Sequence, residues 1–115
     1  MDRAMSDTPT NHALATHLKK RIEIIIEAPM LSRVLDLLDR LAVTGYTVIP
    51  AIAGSGRRGS WREGQVTEAS HMVMVICITD GARIPQVLNP VYQLLARQIG
   101  IVTVSDVNVV RQDHF

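Results

Sequence analysis

Apolar residues in this chain switch between two spacings, and that switching constrains the fold more than any other feature. Ile22, Ile24 and Ile26 alternate with Glu23, Ile25 and Glu27, the two-residue period of a strand. Order is expected to start at Arg21. From Met30 the period lengthens. Leu31, Val34, Leu35, Leu38 and Leu41 fall on one helical face, Arg33, Asp36, Asp39 and Arg40 on the other, and Gly45 closes the helix. Tyr46 to Ala53 reads as a strand again, with Pro50 implying a bulge or a sheet edge. Val66 to Thr79 contains a third strand, most secure from His71. Asp80 suits a helix N-cap, and Ile84, Val87, Leu88, Val91, Leu95 and Ile99 mark a second helix stopped by Gly100. Pro85 fits its first turn and Pro90 predicts a kink. Ile101 to Val110 is the last strand. Its alternation slips phase at Ser105-Asp106, which predicts a bulge or tight turn.

The resulting order, β-α-β-β-α-β, is that of an α+β ferredoxin-like unit with a long loop between its second and third strands. Two helices cover one face of a four-stranded sheet. The third strand is nevertheless apolar on both sides, with Met72, Met74, Ile76 and Ile78 on one and Val73, Val75 and Cys77 on the other. An uncovered apolar face marks an interface, so the chain is expected to oligomerise through its sheet. The 115 residues make one domain. Residues 1–18 are polar and without period and read as a flexible tail, leaving 19–115 as the folded unit.

Charge and composition exclude several functions. Twelve basic against eleven acidic residues leave a net charge of +1, too little surplus for non-specific nucleic-acid binding. Aromatic residues are 3% of the chain, so no base-stacking sheet is expected and the core must be aliphatic. The single Cys77 rules out an internal disulfide and a thiolate metal cluster, and its apolar strand setting reads as a small buried hydrophobe. His12, His17, His71 and His114 are too scattered for a metal site. No nucleophile–base motif appears, so no catalytic residue is assigned. No apolar stretch approaches the ~20 residues of a membrane span, and residues 1–17 hold no sustained apolar block, so no secretory signal is expected there. A cytoplasmic protein without membrane insertion is expected.

Gly54-Ser-Gly-Arg-Arg-Gly-Ser-Trp-Arg-Glu-Gly64 is the informative segment. Dense glycine and no apolar face predict a loop without regular structure. Gly54, Gly56 and Gly59 allow close backbone approach and positive φ, so successive N–H groups can converge on an anion. Arg57, Arg58 and Arg62 add planar forks suited to phosphate or carboxylate. Trp61, the only tryptophan, lies in this polar segment beside Ser60 rather than in the core. The same residues also fit a plain hairpin loop with solvated charges. No Gly-Lys-Ser/Thr follows and no helix opens here, so this is not a Walker motif.

Taken together, the chain resembles the PII signal-transduction family over residues 19 to 111. The anchors are Lys20-Arg-Ile-Glu-Ile-Ile-Ile26, Thr44-Gly-Tyr-Thr-Val48, Gly54-Ser-Gly-Arg57 and Val109-Val-Arg111. The resemblance implies a homotrimer binding adenine nucleotides between subunits, without catalysis, and a long T-loop that changes shape with ligand and engages a target protein. It places Thr47 near the adenine and Gly54, Ser55, Gly56, Arg57 and Arg58 around the nucleotide. Arg111 would reach the phosphates from the adjacent subunit.

The departures narrow the branch. No tyrosine lies between Gly54 and Ser70, so uridylylation is not expected, and Arg58 replaces the usual glutamine, which argues against 2-oxoglutarate with Mg²⁺. The phosphate loop before the last strand is missing, because Arg97-Gln-Ile-Gly-Ile-Val-Thr-Val-Ser-Asp106 runs almost directly into it. These features are similar to PII-like proteins of bicarbonate uptake and carboxysomes. That branch implies ADP or AMP, with ATP and cyclic AMP as further candidates, and bicarbonate as second ligand. Arg58, Gly59, Ser60, Trp61 and Arg62 are the candidate second-anion residues. A bicarbonate transporter or a carboxysome component is the candidate target. Two other readings share the topology: a regulatory module of the amino-acid-sensing type, and a small trimeric metal-tolerance protein.

Overall fold

Alternating isoleucines make the first strand the middle of the molecule. The computed structural model describes residues 14–43, 45–56, 59–62 and 71–111, the backbone alone for 59–62. Strand β1 (His17–Glu27) leads through a 3₁₀ turn into helix α1 (Leu31–Arg40), then strand β2 (Tyr46–Pro50). Two short strands, β3 (Ala53–Gly56) and β4 (Gly59–Arg62), precede β5 (Met72–Thr79). Helix α2 (Ile84–Leu95) and strand β6 (Gly100–Val109) complete the order. The main sheet runs β2-β5-β1-β6, antiparallel throughout, while β3 and β4 pair separately.

Both helices lie on one face. Ile22, Ile24 and Ile26 are fully buried there with Val34, Leu38, Val75, Val87 and Val91. Each such side chain contributes about 1.5–3 kcal/mol by leaving water, and all are aliphatic, as the scarcity of aromatics requires. On β5 the burial alternates strictly. Val73, Val75 and Cys77 enter the core, while Met72, Met74, Ile76 and Ile78 stay half-buried on the open face. That face continues onto Ile25, Ile49 and Ile101, the last two 43% and 59% exposed.

Several local expectations change. β1 begins at His17, four residues before Arg21, because the β6 ladder extends to the pair His17–Val109. β2 stops at Pro50, where the chain leaves the edge of the main sheet. The glycine-rich segment carries regular pairing: Ala53–Arg62, Gly54–Trp61, Ser55–Ser60 and Gly56–Gly59. Backbone pairing needs no apolar side chains, so the period of two was invisible there. Helix α2 passes through Pro90, and the carbonyl that loses its partner belongs to exposed Gln86.

Strand β6 has no bulge. Its register with β1 is unbroken from Gly100 to Val109. Val102 and Val104 face the helices, but Asp106 takes the next position on that face and binds Lys20 directly opposite. Val107 and Val109 are apolar on the open face. The phase slip therefore marks a change in which face is apolar.

Helix α1 ends by a different device from Gly45. Val43 N–H donates to Leu38 C=O at 3.0 Å and Ala42 N–H to Asp39 C=O at 3.1 Å, a Schellman motif. The left-handed position is Ala42, at φ 58°. Buried Val43 and Leu38 supply the accompanying apolar contact. Asp80 caps no helix with its carboxylate, which binds the buried Lys19 ammonium instead.

Candidate functional site

Thr47 lies on the edge strand β2, exposed on the open face, in register with Ile76. An open cleft of about 270 Å³ lies over this part of the sheet, lined by Gly45, Tyr46 and Thr47 at the entry of β2 and by Ile76, Cys77 and Ile78 on the paired strand β5. Cys77 presents only its margin to this cleft, because its side chain is 2% exposed and belongs to the core. Burial pushes its thiol up to about 11.

Tyr46 ties the cleft to α1. Its hydroxyl donates to Asp39 Oδ1 at 3.2 Å. Loss of surrounding water, that hydrogen bond, and the charges of Asp39 and Asp36 raise the phenol above the ordinary tyrosine range. It is a neutral donor at neutral pH.

Gly54, Ser55 and Gly56 lie in β3, which begins directly after the bend at Ile52 that follows β2. Their partners Trp61, Ser60 and Gly59 belong to β4. The N–H groups that β3 turns toward β4 are used by that ladder rather than left to converge on an anion. Arg57 and Arg58, between the paired Gly56 and Gly59, lie outside the described residues, as do His12, His114 and residues 63–70. No statement about the side chains of Trp61 and Arg62 follows from their backbone pairing.

Arg111 follows β6 and is exposed. Its distance from Thr47 is set by the register. Thr47, Ile76, Glu23 and Thr103 form one row across the sheet, in which β2 and β6 are the two opposite edges. Three strand spacings of ~4.8 Å give about 14 Å laterally, and six residues from Thr103 to Val109 give about 20 Å along the strand. Val109 is thus about 25 Å from Thr47 by these spacings, and Arg111 lies two residues further on. No arginine side chain bridges that gap. A site uniting Thr47 with Arg111 requires two copies of the chain.

The walls contributed by Tyr46 and Ile76 to Ile78 were not singled out from sequence; the apolarity of β5 on its open face was their one signal. Among the described residues no group of three His, Cys, Asp or Glu could hold a metal ion. No helix among them is long and apolar enough to cross a membrane.

Residues 19–114 match the family described as nitrogen regulatory protein P-II. CPII from Thiomonas intermedia, a nitrogen regulatory PII-like protein whose structure is bound to ADP, AMP and bicarbonate, superimposes with a TM-score of 0.76 at 28% identity, covering 86% of this chain and 94% of its own. Another CPII structure, bound to ADP and bicarbonate, gives 0.74 at 29% identity, with coverage of 86% and 95%. A PII-like signaling protein from Thermus thermophilus gives 0.69 at 25% identity, with coverage of 84% and 93%. The comparison with curated proteins returned no match.

Proposed function

The chain belongs to the nitrogen regulatory protein P-II family, and from that premise we propose that it is a non-catalytic PII-like regulator. The chain assembles as a cytoplasmic homotrimer that binds adenine nucleotides, ADP or AMP, in clefts between subunits. It senses bicarbonate through the segment from Gly54 to Arg62 and regulates inorganic-carbon uptake or carboxysome function through a protein target.

One observation carries this reading: the position of Thr47 and Arg111 at opposite edges of the sheet. The cleft of one chain supplies the adenine side through Thr47 and the backbone of Gly54, Ser55 and Gly56. The next chain supplies a phosphate-binding cation through Arg111. Similar structures bound to ADP, AMP and bicarbonate support the ligand classes.

Ligand is converted into loop shape by competition for backbone donors. Gly54 to Gly56 pair with Gly59 to Trp61 in a short two-stranded ladder. Such a hairpin is marginally stable on its own, so opening it costs little. Phosphate captures the freed N–H groups, and the ligand selects the opened form by differential binding. A second anion in the same pocket is repelled unless cations neutralise it. Arg57, Arg58 and Arg62 supply three.

The test is the molar mass in solution followed by a nucleotide screen. A particle of three 12.7 kDa chains that binds ADP or AMP in preference to GDP is expected, with binding weakened in the Arg57→Ala, Arg58→Ala double variant. A monomer indifferent to every adenine nucleotide overturns the reading.

A further inference from the structure

The two walls of the cleft come from separate parts of the chain. One is the entry to β2, delivered by the turn that ends α1; the other is the exit of β5. An edge strand is held by its neighbour on one side only, so its first residues are prone to fraying. Something must fix that entry.

Arg83 is placed to do so. It closes the 3₁₀ turn Gly81–Arg83 that directly follows β5 and Asp80. Its guanidinium donates through Nη2 to the Leu41 carbonyl, and through Nη1 to the Ala42 carbonyl at 3.3 Å. These are carbonyls at the C-terminal end of α1, where backbone acceptors lack intrahelical partners and a cation is favoured by the helix dipole. A planar fork can hold two carbonyls at once, whereas an ammonium has no such fixed geometry.

The anchor is itself fixed. Arg83 N–H donates to Asp80 C=O at 3.0 Å, and the Asp80 carboxylate binds Lys19 on β1. Ala42 occupies a left-handed conformation that an alanine does not choose unaided. The turn is thus held from both sides: by the Schellman bonds at the end of α1 and by Arg83 from the turn that follows β5. Gly45 and Tyr46 follow within four residues.

We propose that Arg83 is a positioning residue for the ligand cleft: by joining the β5–α2 turn to the Leu41 and Ala42 carbonyls, it keeps the entry of β2 at Gly45–Thr47 from fraying off its ladder partners on β5. This rests on the reading of that cleft as the adenine side of the nucleotide site. Arg83 contacts no ligand in this scheme.

The experiment uses the full chain and Arg83→Met, which keeps an apolar stem and removes the guanidinium. ADP affinity is measured by calorimetry, and amide exchange is followed at Gly45, Tyr46 and Thr47. The expected result is an ADP affinity about fivefold lower or worse, a typical coupling between linked sites, with faster exchange at those three amides. Arg83→Lys falls between. Adding Ala42→Gly to Arg83→Met relieves the strained turn and recovers thermal stability without recovering affinity. Recovery of both assigns Arg83 to general stability and overturns the proposal, as does unchanged affinity with unchanged exchange in Arg83→Met. Absence of nucleotide binding in the unmodified chain removes the functional reading instead. Exchange at Gly45 to Thr47 then decides the positioning role alone, and unchanged exchange overturns it.

Discussion

A site divided between two copies can be tested by complementation. In Thr47→Arg a long cation fills the cleft of about 270 Å³ beside Ile76 and Ile78. In Arg111→Ala the phosphate loses a charge-assisted partner, about 1.5–3 kcal/mol, equivalent to a loss of about 10- to 150-fold in affinity. Each variant alone is defective. The register puts Val109 about 25 Å from Thr47 within one chain, so the intact halves of the two variants can meet only across a subunit boundary. In a cyclic assembly formed at random from equal amounts, one chain of each site carries an intact Thr47 half of the time. The next carries an intact Arg111 half of the time. About one quarter of the sites therefore recover unmodified affinity. Calorimetry with ADP on chains unfolded and refolded together reads this fraction directly. No recovery, or full affinity in Arg111→Ala alone, refutes the geometry.

Three further outcomes follow from the fold. Ala42→Gly relieves about 1–2 kcal/mol of left-handed strain against about 0.4–1 kcal/mol of added unfolded-state entropy. A net gain is expected, read as a higher midpoint in denaturant. Gly100→Ala has the opposite sign, because a Cβ would lie 2.9 Å from the Ile25 carbonyl oxygen and 3.2 Å from Ile26 Cγ2; it destabilises by about 1–3 kcal/mol. Cys77 resists thiol reagents at pH 8 unless the chain unfolds. Its thiol titrates near 11 when folded against 9.0 when free, so the unfolded state loses the proton first. Its contribution to stability is complete below pH 9 and is lost between pH 9 and 11, which a series of thermal melts can follow.

What the sequence revealed depended on whether apolar side chains carried the information. Ile22, Ile24 and Ile26, the Val34–Leu38 stripe and the two-sided β5 all report burial, and each lies in an element of the type the periodicity predicts. The β3–β4 ladder is held by backbone groups of glycine and serine, which leave no apolar period. Asp106 on β6 was hidden for another reason. It faces the helix side as the partner of Lys20, so an ion pair imitated a shift in strand phase.

The residues proposed for the site divide the same way. Thr47 and Arg111 were found through short motifs, but their placement at opposite edges required the strand order. Arg83 had no signal. An arginine before a helix is common, and only the arrival of the α1 C-terminus beside it gives it two carbonyls to hold. The ion pair from Lys19 to Asp80 similarly joins residues sixty-one apart in sequence.

The most direct test of the account is calorimetric titration of the intact chain with ADP, in bicarbonate-free buffer and again with bicarbonate. One saturable site per chain and tighter ADP binding in bicarbonate are predicted, with the same factor recovered when bicarbonate is titrated into the ADP complex. Equal ADP affinity in both buffers contradicts the shared pocket, and no binding in either contradicts the adenine-nucleotide site itself.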